Sequence, residues 1–415
     1  MNSTVYCVFI PFRAHFNFYF DIPTFLQASR YPSSHPQGIH PSLLNAIYLV
    51  ACNLAFGSQN PYDSLFLTRT RAHLDEALSM ADRLTHFMWG SLVLCTYLAR
   101  LGRIMESHSV SATTVSFAVG CGLPERAALE QTGHYVDIQE RHLWGALCNM
   151  EFAHAWTFDL PCSVPERFVN EMEAHYFNNV LHGVSTLGEK DIVYLLSCTS
   201  LMVYLSVRLR DQYDEAARLN NSPSSSLLQR LYNLGDRLDL FRQSLPPIDS
   251  PEGLLPGEIT SQINHLLVRP HFGVCLAAIQ LWNILAPKDD IAYANVVEAA
   301  LSLARLARII RLNASGTCLL HVPLNMISHT YTASEVLIRE CHRPRWFPGR
   351  TPKPGSSTVP SPLMTLPNQP DRRVSDGLNW LFDFQLEMLR HYPLLARSLG
   401  KLKDLVDGSE AYDMI

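Results

Sequence analysis

The chain has 415 residues, of which 47% are hydrophobic and only 17% charged, and its formal net charge is −5. This composition can supply a large apolar core and excludes wholesale disorder. The weak negative charge excludes a strong global field for nucleic acid, so DNA binding would require another module.

The N-terminal segment is not typical of a targeting sequence. No basic region precedes its apolar stretch in residues 1–20, and Arg13 and His15 interrupt that stretch early. It is therefore a poor signal peptide. No run of 18 apolar residues occurs elsewhere, so we expect no membrane span and no membrane partner.

Helical periodicity dominates the chain, and it predicts an all-α, multi-helix, bundle-like domain. Pro41 is predicted to lie in a first helical turn, Gly122 to follow a helix C-terminus, and Pro124 to prevent its continuation. Pro270 and Pro323 fall inside helical runs and are predicted to kink or split them. The predicted runs are 41–57, 82–103, 109–125, 136–158, 191–216, 225–243, 260–286, 291–312, 318–341 and 376–407.

One low-complexity segment divides the helical pattern. Residues 343–372 contain eight prolines, which excludes a helix or a central strand and predicts a disordered loop. We therefore expect a helical domain over 1–342, the Pro-rich loop, and C-terminal helices over 373–415 that pack on the same domain.

The ten cysteines form no Cys-x-x-Cys pair. Zinc-finger and zinc-ribbon spacings are therefore absent. Because most of the cysteines lie in apolar helical runs, we expect free, buried thiols in a reducing compartment.

Residues 140–166 contain the most suggestive cluster of polar side chains, with Glu151, His154 and Asp159 as candidate acid, base and ligand. Glu151 and His154 are spaced i, i+3 and can share one helix face. A Glu-x-x-His pair makes a metal site when a second helix repeats it, and no second copy is evident. The sequence therefore favours a core helix over a catalytic or metal site.

Two further patterns have ordinary explanations beside functional ones. Asp289 and Asp290 resemble the acidic start of an isoprenoid-binding site, but they lack a third acid and fit a helix N-terminus better. Arg305, Arg308 and Arg311 form a stripe, predicted to be a solvated face, with an interaction surface as the alternative. The loop residues Arg343, Arg345, Arg350 and Lys353 form a basic cluster that is open to three interpretations: no role, an acidic partner or an import signal.

The order of the segments resembles a known family. A Gly-Arg pair, Gly102 and Arg103, precedes a helix that ends in Gly-Leu, Gly122 and Leu123. The following segment matches at Arg141, Trp144, Glu151 and Pro161. This succession resembles the fungal-specific regulatory domain, or middle homology region, of binuclear zinc-cluster transcription factors. Glu151 stands at the usual Asp position, and Asp159 and Leu160 replace the family's Gly-Arg.

The resemblance, which covers about residues 10–407, implies a nuclear regulatory domain without enzymatic activity. It implies contacts with the transcription machinery, regulatory proteins or a small effector, and a possible homodimer. The family's six-cysteine DNA-binding module is missing from this sequence, which we interpret as a member without the module or an incomplete gene model. DNA contact and zinc would come only through such a module, and we expect no cofactor in this chain. The alternatives are an all-helical enzyme, such as an isoprenoid-type lyase, and a helical scaffold.

Overall fold

The computed structural model describes residues 2–57, 60–128, 138–179, 189–219, 222–248, 265–287, 289–313, 324–342, 372–389 and 400. Within these residues the chain forms fifteen α-helices and one 3-10 helix, without any strand, which confirms the all-α prediction. The α-helices are α1 (Asn2–Phe9), α2 (Ile22–Ala28), α3 (Pro41–Phe56), α4 (Asp63–Ser79), α5 (Leu84–Arg100), α6 (Ile104–Gly120), α7 (Leu123–Ala128), α8 (Ile138–Phe158), α9 (Glu166–Asn179), α10 (Glu189–Arg218), α11 (Ser225–Ser244), α12 (His265–Trp282), α13 (Asp290–Asn313), α14 (Leu324–His342) and α15 (Arg372–Leu389).

Several helices begin where the sequence supplies an N-cap. Pro41 is the first residue of α3, and the His40 side chain before it accepts a hydrogen bond from the Ser42 amide. Ser224 caps α11 by accepting from the Leu227 amide at 3.2 Å. Each cap satisfies a backbone donor that has no partner inside its helix.

An aromatic cluster joins the N-terminal segment to the centre of the fold. Phe18 lies edge-on to Phe9, Phe25 and Trp89 at centroid distances of 5.4, 5.7 and 5.4 Å. Arg269 of α12 then donates to the Ala14 carbonyl at 3.2 Å and to Asn17 Oδ1 at 3.1 Å. The 3-10 helix (Ile10–Phe16) is thereby attached to a helix that is distant in the sequence.

The helices α5, α8, α10 and α12 occupy the interior. Residues 87–98 of α5 are all buried, as expected for a helix that is apolar nearly all round. The helices α10 and α12 approach so closely that a Cβ on Gly273 would lie 2.1 Å from Thr199 Cγ2. A side chain at position 273 would therefore require Thr199 to shift.

The C-terminal helices add a second apolar cluster. Phe272 of α12 and Phe384 of α15 belong to it and are fully buried, together with Leu337 of α14. Trp282 packs against both this cluster and the larger one formed by the preceding helices. In the described residues, α15 packs on α13 and α14.

The helix bounds agree with the sequence within a few residues for α8, α10, α11 and α13. Pro270 is different, because α12 continues through it as one helix, so the predicted split is wrong. The Pro-rich loop and Pro323 lie outside the described residues, except that Arg372, the last residue assigned to the loop, begins α15. Of the predicted helix over 376–407, the structure describes residues 376–389 and Gly400.

Candidate functional site

Three helices bring a polar cluster together in the apolar interior. The helix α8 contributes Glu151 and His154, which are 0% and 1% exposed, and α6 contributes the largely buried His108. The helix α5 contributes the buried Cys95 beside them. The i, i+3 spacing places Glu151 and His154 on one face of α8, as the sequence predicts.

The two carboxylate oxygens of Glu151 have different surroundings. Oε2 accepts a hydrogen bond from the Ser163 amide at 2.8 Å. Oε1 lies 3.9 Å from His108 Nδ1 and 4.0 Å from His154 Nδ1. These two separations are too long for direct hydrogen bonds, and none of the three atoms has a hydrogen-bond partner among the described residues.

A chain of hydrogen bonds fixes the tautomer of His154. The Ser107 hydroxyl lies 2.8 Å from the Cys95 carbonyl, which can only accept, so the serine donates its single proton there. His154 Nε2 lies 2.9 Å from the same Ser107 oxygen and must therefore donate to it. Since a neutral imidazole carries one proton, His154 Nδ1 presents a lone pair towards Glu151.

Burial keeps His154 neutral. Burial, together with the neighbouring His108, lowers the pKa of His154 to about 4. The imidazole therefore exposes an uncharged Nδ1 acceptor at neutral pH. His154 Nδ1 and Glu151 Oε1 face each other at 4.0 Å, and neither has a hydrogen-bond partner among the described residues.

Cys95 belongs to this environment as a structural group. Its thiol donates to the Ser107 carbonyl at 3.1 Å. Burial raises the pKa of Cys95 to about 12. The thiolate, which is the nucleophilic form of cysteine, is therefore not populated at neutral pH.

Asp159 does not join the cluster. It lies just after the end of α8 with a φ of 55° and is exposed. The sequence grouped Glu151, His154 and Asp159, whereas the structure assembles Glu151 and His154 with His108. His108 was missed because it comes from another helix, and no local spacing announces it.

The remaining motif residues lie in turns and core positions of α5–α8. Gly102 and Gly122 have φ angles of 77° and 69°, in the left-handed region that favours glycine, and each follows a helix. Leu123 is fully buried, and Trp144 packs edge-on against Phe168 at 5.7 Å. Three motif residues remain. Arg103 pairs with Glu106, Arg141 is half-buried, and Pro161 lies after the end of α8.

The other sequence candidates find partners inside the chain. Asp289 caps α13 by accepting from the Ile291 amide at 2.8 Å, which favours the helix N-terminus over a magnesium motif. Arg311 pairs with Asp383 of α15, and Arg308 lies 4.5 Å over the Trp380 ring. Part of the predicted solvated stripe is therefore an internal contact surface for α15. The basic cluster of residues 343–353 lies outside the described residues.

No family model matches the chain, and neither the curated proteins nor the solved structures give a match. Among the described helices, none is long and apolar enough to span a membrane.

Proposed function

We propose that the chain is the regulatory domain, without the DNA reader, of a fungal transcription factor of the binuclear zinc-cluster family. It acts in the nucleus by modulating transcription through regulatory proteins, the transcription machinery or a small effector. The proposal rests on the ordered resemblance over residues 10–407. It is compatible with the all-α fold.

The observation that carries the proposal is the placement of the motif residues. Gly102 and Gly122 lie in turns with positive φ, while Leu123, Trp144 and Glu151 are buried. These positions shape the turns and the core of the succession α5–α8. Motif residues that form turns and core contacts are typical of a structural signature of a family. We then expect the function to reside on the surfaces of the domain that these residues support.

The enzyme alternative has one observation in its favour, the Glu151–His154–His108 cluster. Its burial argues against catalysis, because a general acid or base must come within hydrogen-bond reach of its substrate. Glu151 is 0% exposed and His154 1% exposed. The hypothesis of an isoprenoid-type lyase is weakened further because the Asp289 carboxylate caps α13.

A tethering experiment tests the proposal. The full chain is placed between a heterologous DNA-binding domain and a strong activation domain in a fungal host that carries the cognate reporter. The regulatory reading predicts a reporter output that differs severalfold from that of a fusion with an inert helical protein of similar size. DNA binding and zinc are supplied by the heterologous module, as expected for a chain without its own reader.

Protein abundance and nuclear accumulation are measured for both fusions, so that a difference in level is not mistaken for regulation. Equal reporter outputs at equal nuclear abundance, with and without fungal extracts added to the growth medium as a source of effectors, would contradict the proposal. Turnover of an isoprenoid diphosphate by the purified chain would instead support the enzyme alternative.

A further inference from the structure

We propose that His108, Glu151 and His154 bind one divalent transition-metal ion, of which Zn²⁺ is the representative. This site does not depend on the proposed regulatory function. It differs in ligand type from the cysteine cluster of the DNA-binding module, and it revises the expectation that the chain holds no metal.

The geometry of the three side chains is that of a ligand set. One ligand atom from each lies within 4.8 Å of the others. Zinc bonds to nitrogen and oxygen are about 2.0–2.2 Å long, so two ligands of one ion lie at most about 4 Å apart. The separations of 3.9 and 4.0 Å from Glu151 Oε1 are at this limit, whereas the whole set spans up to 4.8 Å, so the imidazoles must shift inward for all three side chains to bind one ion.

The hydrogen bonds leave free the atoms that a metal needs. Glu151 is fixed through Oε2 by the Ser163 amide, which leaves Oε1 to coordinate. His154 is fixed through Nε2 by Ser107, which leaves the lone pair of Nδ1. Histidine ligands commonly donate their second N–H to such a partner, which fixes the tautomer and the ring orientation.

Burial gives the second, independent reason. Polar atoms in the interior are nearly always hydrogen-bonded, and an exception calls for an explanation. Glu151 Oε1 and His154 Nδ1 belong to side chains that are at most 2% exposed, yet they have no such partner among the described residues. A cation bound between them would satisfy both atoms by coordination.

The donor set points to a class of ion. Imidazole favours zinc and other late first-row metals, whereas calcium and magnesium prefer all-oxygen sites. Two histidines and one carboxylate are a known zinc set, and they are also the set of non-haem iron. Zn²⁺ is chosen as the representative because it has no redox chemistry, and a water molecule would supply the fourth ligand that a set of three protein side chains leaves open.

The test uses the metal-free full chain, with Co²⁺ and Zn²⁺ as probes. One Co²⁺ per chain is expected, with visible d–d bands that Zn²⁺ abolishes by displacement. Zn²⁺ is also expected to raise the Tm of the wild-type chain, because a ligand of the native state stabilises it. No binding, or an intense thiolate-to-cobalt band from the cysteines, would overturn the proposal.

Variants assign the site. His108→Asn, His154→Asn and Glu151→Gln are each expected to weaken binding at least about 100-fold, and Ser107→Ala about 10- to 100-fold, since loss of a supporting hydrogen bond typically has that effect. Far-ultraviolet circular dichroism checks the fold of each variant. If a variant fails to fold, the visible Co²⁺ spectrum of the wild-type chain decides whether the site exists.

The chain offers a matched control. His73 and Glu76 repeat the His–Glu pairing with i, i+3 spacing, but on the surface, at 2.8 Å. His73→Asn is expected to bind Co²⁺ like the wild type. Unchanged binding in the three ligand variants would overturn the proposal, as would loss of binding in the control.

Discussion

Glu151 Oε2 accepts a hydrogen bond from the backbone N–H of Ser163 at 2.8 Å, which fixes the middle of α8 to the turn that follows it. The same side chain directs Oε1 towards two histidines. One residue thus combines a structural bond with a possible ligand atom, and the two roles respond differently to substitution.

Trp144→Ala should destabilise the metal-free chain by about 3–5 kcal/mol, the usual cost of emptying a large buried aromatic site. Glu151→Gln should cost on the order of 1 kcal/mol, because its amide oxygen can still accept from Ser163 while the buried charge is lost. Urea unfolding of both variants beside the parent measures the difference. Equal losses would show that the Glu151 charge itself holds the fold.

Gly273→Ala should destabilise the fold by about 1–3 kcal/mol through overpacking. The Cβ would lie 2.1 Å from Thr199 Cγ2, and the Thr199 hydroxyl is held by the Leu195 carbonyl at 2.7 Å, so that side chain does not yield easily. Thermal melts test the change. Gly120→Ala is the control, since nothing lies within 4 Å of its Cβ, and it should be neutral or slightly stabilising. A neutral Gly273→Ala variant would contradict the close crossing of α10 and α12.

Arg308→Ala should loosen α15, because Arg308 lies over the Trp380 ring at 4.5 Å. The loss is about 0.5–2 kcal/mol, the range for cation–π contacts. Hydrogen exchange of the α15 amides should accelerate accordingly. Arg305→Ala should leave α15 unchanged, since Arg305 pairs with Glu298 of its own helix. Similar exchange in both variants would assign the effect to lost charge on α13 and not to the ring contact.

The stability of the fold should fall as the pH is lowered below neutrality, in part through His329. Burial, together with the positive charge of Arg269, lowers the pKa of His329 to about 3. Between the ordinary pKa of about 6.5 and pH 3, the unfolded chain binds a proton that the native chain does not, which costs up to about 1.4 kcal/mol per pH unit.

Urea unfolding at several pH values between about 4 and 7 tests this contribution, because in this range the unfolded chain binds the proton and the native chain does not. His329→Leu should flatten the dependence without abolishing it, because burial also lowers the pKa of His86 to about 4. His35→Asn, at an exposed position, is the control. An unchanged slope in His329→Leu would show that His329 does not control the acid response.

Helix positions were predictable where local patterns determine them. The bounds of α8, α11 and α13 follow from apolar periodicity, and the turn at Gly122 follows from its freedom to adopt positive φ. Pro270 was predicted to kink or split its helix, and the split is wrong. A proline removes one backbone bond, whereas burial of its neighbours, among them the fully buried Leu267 and Phe272, favours an unbroken helix.

The candidate site was only half predictable. The spacing of Glu151 and His154 places them on one helix face, but His108 reaches them only because α6 packs on α8. The same holds for the arginine stripe, whose partner α15 is selected by tertiary packing. The apolar periodicity of a segment predicts a helix but not its neighbours. Contacts between elements that are distant in the chain can therefore not be predicted from a single sequence in this way.

The bond from Arg269 to the Ala14 carbonyl joins residues that are 255 positions apart. Ribosomes add about 5–20 residues per second, so the N-terminal turn waits on the order of 10–50 s for its partner to be synthesised. During that interval the aromatic side chains around Phe18 are shielded only by the helices already made. Docking of the N-terminal turn on α12 is therefore a late step in the synthesis of this chain.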